Sequence, residues 1–305
     1  MAKGLDLHQA IDTFRVAPGK PIKLKDFDTE WDGMERLAGK IDKNAIKEQA
    51  DDLLEESIKE LSEAQGLLWA NNEHSLLVIL QGMDAAGKDS TIKHVMSGIN
   101  PQGCQVTSFK VPSEEELDHN YLWRYSKALP ERGRVGIFNR SYYEEVLVVR
   151  VHPELLERQR LPNIRADKDF WQARFDDINA FERHLSRNGT LVVKFFLNVS
   201  KAEQKERLLE RTEDPKKRWK FSAADLEERK CWDAYMKAFE EAINATSTEH
   251  APWYIIPADR KWIARSVVAS ILASAIGTLK LEYPRLTDEK NRELEEARKR
   301  LMAEP

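Results

Sequence analysis

The sequence has only two cysteines among its 305 residues, Cys104 and Cys231. Their spacing does not match a metal-ligand motif, so we expect two buried, reduced thiols. The N-terminal residues also lack an apolar signal region. The most hydrophobic segment, residues 262–281, contains Arg265 and Lys280 and has its apolar residues at helical spacing, which indicates a core helix rather than a membrane span. We therefore expect a cytoplasmic protein that does not bind a membrane.

The chain also has no excess of positive charge. The chain has 48 Lys and Arg against 52 Asp and Glu, a net charge of −4, although 33% of its residues are charged. A protein that handles a polyanion would therefore have to concentrate its positive charge in a local groove. The balance argues against a non-catalytic switch that binds nucleic acid with a steep salt dependence. We expect no nucleic-acid partner.

The chain does contain a buried-strand pattern that leads into a phosphate-binding motif. Residues 76–80 are an apolar run, and residues 82–88 (GMDAAGK), here called the phosphate loop, fit G-x-x-x-x-G-K. Such a loop needs glycine at both ends because its N–H groups must turn inward and approach phosphate oxygens closely. A helix that begins near Lys88 points its positive end at the same anion. The pattern predicts a phosphoryl-transfer site; the alternative is a glycine-rich turn with a capping aspartate.

We expect the loop backbone and the first helical turn to contact phosphate. The residues concerned are Gly82, Met83, Ala85, Ala86, Gly87 and Ser90, with Lys88 as a mobile charge. Asp89 stands where the common loop has Ser or Thr, and Asp84 adds a second carboxylate inside the loop. Two carboxylates beside bound phosphates would repel them unless a cation lies between. Asp84 and Asp89 are therefore predicted to bind Mg²⁺ or Mn²⁺.

Strand and helix patterns alternate along most of the chain. Strands are predicted at 76–81, 104–111, 134–138, 190–199 and 253–256, and helices at 44–69, 88–97, 113–129, 141–149, 167–187, 222–245 and 261–281, with a further helix after Ser200. This alternation predicts a three-layer α/β/α domain with a parallel sheet and ligands at the carboxyl ends of the strands. We assign residues 1–42 to a surface arm, 43–283 to the domain and 284–305 to a charged C-terminal helix.

The end of the third predicted strand carries further candidates. Asn139 stands where an acidic residue often helps to hold magnesium, and it offers a neutral oxygen ligand at best. Arg140 follows and is predicted to contact phosphate rather than form a surface ion pair. Glu144 has two interpretations: it completes a capping box with Ser141, or it lies near the acceptor at the active-site edge.

Residues 200–222, here called the lid segment, include a modest excess of basic residues. Arg207 and Arg211 are four residues apart and so share one helical face. A solvated surface is the default interpretation of such a face. A helical lid after the fourth strand could instead close over the phosphates and bring the two guanidiniums onto the transferring group.

Three segments together resemble polyphosphate kinase family 2: residues 82–89 (GMDAAGKD), 138–144 (FNRSYYE) and 219–222 (WKFS). The resemblance covers roughly residues 40–285. It implies a P-loop kinase of thymidylate-kinase-like fold and magnesium-dependent, reversible transfer between inorganic polyphosphate and nucleotides. Asp84 and Asp89 would be the loop acids and Lys88 the phosphate lysine.

The same resemblance assigns Arg140, Arg207 and Arg211 as the catalytic arginines. Many members have aspartate at the position of Asn139, and the form found here is similar to the subclass that phosphorylates both nucleoside monophosphates and diphosphates, such as AMP, ADP, GMP and GDP. Members commonly form dimers or tetramers, which implies a homo-oligomer. The rival function is an ATP-dependent nucleoside or nucleotide kinase of the same fold.

Overall fold

The computed structural model describes residues 7–31, 43–162 and 165–304. The strands are β1 (Ser75–Gln81), β2 (Cys104–Ser108), β3 (Val135–Asn139), β4 (Thr190–Asn198) and β5 (Trp253–Pro257). The α-helices of the described ranges are α1 (Leu7–Phe14), α2 (Lys43–Asn71), α3 (Lys88–Val95), α4 (Glu114–Leu117), α5 (Trp123–Ser126), α6 (Val148–Val151), α7 (Glu154–Glu157), α8 (Lys168–Arg187), α9 (Lys201–Glu213), α10 (Ala224–Lys230), α11 (Trp232–Thr246), α12 (Lys261–Gly277) and α13 (Asp288–Met302). Short 3-10 helices cover Leu24–Asp26, Pro101–Gly103, Tyr142–Glu145 and Arg218–Lys220.

The strands form one parallel sheet in the order β2-β3-β1-β4-β5. Strand β1 lies at its centre, where Leu76 pairs with Val135 of β3 and Leu191 of β4. All seven residues of β1 are buried, as expected for a strand covered on both faces. The parallel sheet predicted from the alternating pattern is therefore confirmed.

Helices cover the sheet in two groups. Helix α12 packs against α2, α3 and β4, whereas α8 packs on β4 and α11 contacts α6 and α8. Eleven of the residues in α12 are buried, including Ile271 and Leu272, so its apolar residues belong to the core. Among the described residues, no helix has the length and apolar character needed to cross a membrane.

Three predicted helices are interrupted, among them 141–149, which divides into the 3-10 helix Tyr142–Glu145 and α6. The capping box at Ser113 and Glu116 is present, but α4 ends at Leu117 and α5 begins only at Trp123. Between them, the side chain of Asn120 accepts a hydrogen bond from the N–H of Leu122 at 3.0 Å, which offers the backbone a turn in place of a helix. The predicted helix 222–245 likewise divides into α10 and α11 at residue 231.

Three apolar side chains of the described N-terminal segment reach into the core, so the predicted surface arm is anchored to the domain. Phe14, Val16 and Leu24 are buried. The N–H of Val16 donates to the backbone oxygen of Trp253 at 2.9 Å, so the segment covers the exposed edge of β5. Residues 1–6 and 32–42 of the predicted arm lie outside the described residues, and the predicted domain limits stay predictions.

Candidate active site

The phosphate loop connects β1 to α3 at the carboxyl edge of the sheet. Gly82, Ala85 and Gly87 have positive φ angles of 153°, 61° and 107°. A Cβ atom on Gly82 would lie 3.0 Å from the backbone oxygen of Leu197, so this position requires glycine. Within the described residues, the N–H groups of Asp84, Ala85 and Gly87 donate to no protein acceptor. A concave backbone with unpaired N–H groups is suited to an anion.

Lys88 folds back over the loop. Its Nζ donates to the backbone oxygens of Gly82 at 2.7 Å and Met83 at 3.2 Å. Burial and then the nearby Arg140 lower the pKa of Lys88, the carboxylate of Asp84 opposes the shift, and the net pKa is about 8. The ammonium is thus held by neutral backbone acceptors. A charged phosphate oxygen is a stronger acceptor and can take their place.

The two loop acids each receive one hydrogen bond from the end of β3. The amide Nδ2 of Asn139 donates to Oδ1 of Asp89 at 2.6 Å, and Nη2 of Arg140 contacts Oδ1 of Asp84 at 2.5 Å. Asn139 therefore orients Asp89 in this structure, a role that the sequence did not predict. Each carboxylate retains a second oxygen, for which the described part of the chain supplies no hydrogen-bond donor.

Arg140 bridges two acids at the mouth of the site. Its backbone is left-handed, with φ of 64°, and its Nη1 donates to Oε2 of Glu144 at 2.9 Å. The negative charge of Glu144 raises the pKa of this guanidinium further above its ordinary value. The capping-box interpretation of Glu144 is wrong: Ser141 accepts from the N–H of Tyr143, and the carboxylate of Glu144 turns to Arg140 instead.

A cavity of about 380 Å³ opens beside this bridge. It begins at the phosphate loop and extends between α5, α7, α10 and α11. The cavity is lined by Gly82, Met83, Asp84, Phe109, Lys110, Val111, Pro112, Leu117, Arg124, Tyr125, Arg140, Glu144, Glu145, Leu147, Val148, Val149, Leu155, Arg158, Gln159, Glu228, Tyr235 and Phe239. A mixture of aromatic, aliphatic and charged groups of this kind is typical of small-molecule sites.

The lid segment places its two predicted arginines differently. Arg211 forms an ion pair with Asp225 at 2.8 Å and retains some exposure. Burial raises the pKa of Asp225, the negative charge of Asp84 raises it further, and Arg211 opposes the shift. The predicted action of Arg211 on the transferring group stays a prediction.

Arg207, in contrast, is only 6% exposed and supports the loop from outside. Its five N–H groups donate to the carboxylate of Glu203 and to the backbone oxygens of Ala85, Ala86, Ala258 and Asp259. A guanidinium has five N–H donors, so none remains for a substrate in this structure. In this structure Arg207 therefore supports the loop, and its predicted action on the transferring group after closure of the lid segment stays a prediction.

Two other groups predicted to contact phosphate already have partners in this structure. The hydroxyl of Ser90 accepts a hydrogen bond from Nη2 of Arg265 in α12 at 2.7 Å, so it is engaged by the helical layer rather than by the loop. The N–H of Ala86 donates to the backbone oxygen of Met83 at 3.1 Å and closes the turn of the loop. The N–H of Ala86 is thus not available to phosphate as it stands, whereas the hydroxyl of Ser90 keeps its own proton to donate.

A buried polar network lies behind Arg140 and Glu144. Lys194 of β4 and Glu182 of α8 are fully buried and form an ion pair of 2.5 Å. The hydroxyls of Tyr142 and Tyr143 both donate to Oε1 of Glu182 at 2.9 Å, and Lys194 also donates to the backbone oxygen of Thr246. The network fixes the 3-10 helix that directly follows Arg140.

Several cavity residues were not identified from the sequence. Tyr235 donates to the carboxylate of Glu228 at 2.6 Å, and burial raises the pKa of that phenol. These residues belong to α10 and α11, far along the chain from the motifs, so no local pattern marks them. Gln204, which lies outside the cavity and donates to the backbone oxygen of Asp84 at 2.9 Å, did carry a signal, because it lies three residues before Arg207 on the same helical face.

Comparison with known proteins identifies the family. The family model described as Polyphosphate kinase 2 (PPK2) matches residues 41–284. The chain belongs to the polyphosphate kinase 2 family. The family resemblance of the three sequence segments is therefore confirmed, and the chain is an enzyme of the polyphosphate kinase type.

Individual relatives agree with this assignment. An ADP-polyphosphate phosphotransferase of Rhodopseudomonas palustris is 49% identical over 290 residues, which cover 95% of this chain and 97% of the relative. An AMP/ADP-polyphosphate phosphotransferase of Meiothermus ruber is 44% identical over 274 residues, covering 89% and 94% of the two chains. The crystal structure of polyphosphate kinase 2 from Arthrobacter aurescens TC1 is similar, with a TM-score of 0.82 and 39% identity over 95% of this chain and 96% of that one. The P-loop kinase fold is thus confirmed.

Proposed function

We propose that this chain transfers phosphoryl groups between inorganic polyphosphate and nucleotides, with both AMP and ADP, and nucleotides such as GMP and GDP, as acceptors. One observation carries the proposal: the Arg140 guanidinium joins the loop acid Asp84 to Glu144 where the phosphate loop meets the cavity. Two anionic substrates can therefore meet at one cation. The relative from Meiothermus ruber, whose name includes both AMP and ADP, supports the acceptor range.

The loop is the proposed polyphosphate site and the cavity the proposed nucleotide site. Free N–H groups of the loop and Lys88 hold the terminal phosphates of the chain. The nucleotide occupies the cavity beside Arg140, with its terminal phosphate in line. The oxygen of that phosphate forms a new P–O bond to the terminal phosphoryl group, while the anhydride bond to the shortened polyphosphate breaks.

The charge that spreads over the transferring group needs positive groups around it. Lys88 and Arg140 lie at the site, and closure of the lid segment would add Arg211. No covalent protein intermediate is required. Because the donor and the product both contain phosphoanhydride bonds, the reaction is reversible and concentrations set its direction.

We further propose that Asp84 and Asp89 hold Mg²⁺, or Mn²⁺ in its place. Hard carboxylate oxygens suit these ions, and each carboxylate retains an oxygen without a donor in the described chain. No group of three or more His, Cys, Asp or Glu that could hold a metal occurs among the described residues, so phosphate and water oxygens would complete the coordination. When bound, the ion supplies charge neutralisation between the two anionic substrates.

The test is a single assay in two arms. The protein is incubated with long-chain polyphosphate, Mg²⁺ and either AMP or ADP, without ATP, and the nucleotides are separated by chromatography. We expect ADP from AMP and ATP from ADP, with Lys88→Ala as the inactive control. Phosphorylation that requires ATP as the donor would instead establish the rival nucleotide kinase. From the family resemblance we also propose that the chain forms a homo-oligomer, a dimer or a tetramer. Light scattering of the same preparation tests this.

A further inference from the structure

The outer side of the phosphate loop is held by side chains of α9. In a planar peptide unit the N–H and the C=O point in opposite directions. A peptide unit whose N–H faces an anion therefore points its carbonyl away from that anion. Gln204 donates to the backbone oxygen of Asp84 at 2.9 Å, and Arg207 donates to those of Ala85 and Ala86 at 3.0 and 2.8 Å. Donors from α9 thus engage three consecutive carbonyls and set the direction of the peptide units between them.

Arg207 connects the loop to the segment that follows β5. Its Nη2 donates to the backbone oxygens of Ala258 at 2.6 Å and Asp259 at 3.0 Å. The guanidinium is planar and rigid, so its position over the loop depends on where these two carbonyls lie. Support for the loop therefore extends to Asp259.

Asp259 is held in turn by the N-terminal segment. The hydroxyl of Thr29 donates to Oδ2 of Asp259 at 2.8 Å, and the N–H of Asp259 donates to the backbone oxygen of Thr29 at 3.0 Å. The other carboxylate oxygen accepts from the N–H of Ser200 at 2.7 Å. Ser200 is the N-cap of α9, so Asp259 positions the helix that carries Gln204 and Arg207.

The segment that carries Thr29 is itself fixed. Ser247 donates to the backbone oxygen of Val16 at 2.7 Å, and the N–H of Leu24 donates to the carboxylate of Glu240 at 2.8 Å. Asn198, the last residue of β4, donates to the backbone oxygen of Phe27 at 3.2 Å. Residues 11–31 lie outside the part of the chain that the family model matches.

We propose that residues 11–31 are part of the support of the phosphate site, with Thr29 as a positioning residue. The path runs from Thr29 through Asp259 to Arg207 and then to the carbonyls of the loop. Thr29 touches no substrate; it acts by keeping the loop N–H groups aligned before phosphate binds. The consequence for catalysis rests on the proposed function, whereas the consequence for loop order does not.

The test compares three variants of the full chain. Thr29→Val removes the hydroxyl at nearly constant volume, and Thr29→Ser restores it. The matched control is Glu249→Gln, which removes the exposed ion pair of 3.0 Å between Glu249 and Arg15 of the same segment. Two quantities are measured: amide hydrogen exchange of Ala86, whose N–H closes the turn of the loop on Met83, without substrate, and KM and kcat for polyphosphate.

We expect Thr29→Val to speed exchange in the loop and to raise the KM for polyphosphate by about two- to tenfold, the range for one net hydrogen bond. Thr29→Ser should restore both, and Glu249→Gln should change neither. Unchanged loop exchange in a folded Thr29→Val protein overturns the proposal, as does lower global stability without a local change in the loop. If the protein shows no polyphosphate activity at all, the proposed function fails, and the exchange measurement still decides the positioning role.

Discussion

Replacing Lys194 with methionine tests how firmly the buried network holds the segment after Arg140. Lys194 and Glu182 are both fully buried and 2.5 Å apart. Removal of one member of a buried ion pair costs about 3–5 kcal/mol, because the remaining charge is left without its counterion. The hydroxyls of Tyr142 and Tyr143 still reach Glu182, so we expect a loss at the lower end of that range. Since whole domains are stable by about 5–15 kcal/mol, this is a large fraction.

The assay is urea denaturation of four variants: Lys194→Met, Glu182→Gln, the two combined, and a surface control. Lys194→Met alone should lower the free energy of unfolding by about 3 kcal/mol. Lys194→Met combined with Glu182→Gln should recover at least about 1 kcal/mol of that loss, since no buried charge remains. The control is Lys290→Met, which removes an exposed pair of 2.8 Å to Glu293 and should change stability by less than about 0.5 kcal/mol. Equal effects of Lys194→Met and Lys290→Met would refute the reasoning, and so would strictly additive effects at Lys194 and Glu182.

Four further outcomes are expected. Lys88→Ala and Asp89→Ala should each lower kcat by at least about a hundredfold, and a near-normal rate in either folded variant would remove that residue from the mechanism. Arg211→Ala should lower kcat more than it weakens nucleotide binding; a defect confined to affinity would make it a binding residue instead. Asn139→Asp places a third carboxylate 2.6 Å from Asp89, where an acidic residue often helps to hold magnesium, so titration of Mg²⁺ should show a lower requirement, and an unchanged requirement would argue against a metal at Asp89. Burial raises the pKa of the Cys104 thiol to about 11, so at pH 8 it carries about a hundredfold less thiolate than an exposed cysteine. Alkylation of Cys104 in the native protein should therefore be slow, with a Cys104→Ser variant to identify the labelling that is due to Cys231. Rapid labelling of Cys104 would contradict this.

Local sequence patterns were sufficient to predict the loop and the sheet. The glycines at 82 and 87 and the apolar run of β1 follow from backbone geometry and burial, which neighbouring residues determine. The position of Arg140 at the end of β3 also follows, because parallel strands end at one edge.

Long-range hydrogen bonds could not be predicted in the same way. Arg207 was expected to face the substrate, but carbonyls of the loop and of the segment after β5 take up its donors, and the spacing of residues in α9 does not reveal that choice. Asn139 was expected to offer a neutral oxygen ligand at best, and its amide instead donates to Asp89. The apolar residues of the N-terminal segment, such as Val16, were too few to reveal that they complete the core beside β5.

The central claim is that the backbone N–H groups of residues 82–88 hold a phosphate chain beside Asp84 and Asp89. A crystal of the protein soaked with polyphosphate and Mg²⁺ tests it most directly. We predict phosphate oxygens within about 3 Å of the loop N–H groups and of Lys88 Nζ, with both carboxylates turned toward a shared cation. A loop that stays empty while polyphosphate binds elsewhere, with both aspartates facing solvent, would contradict the account.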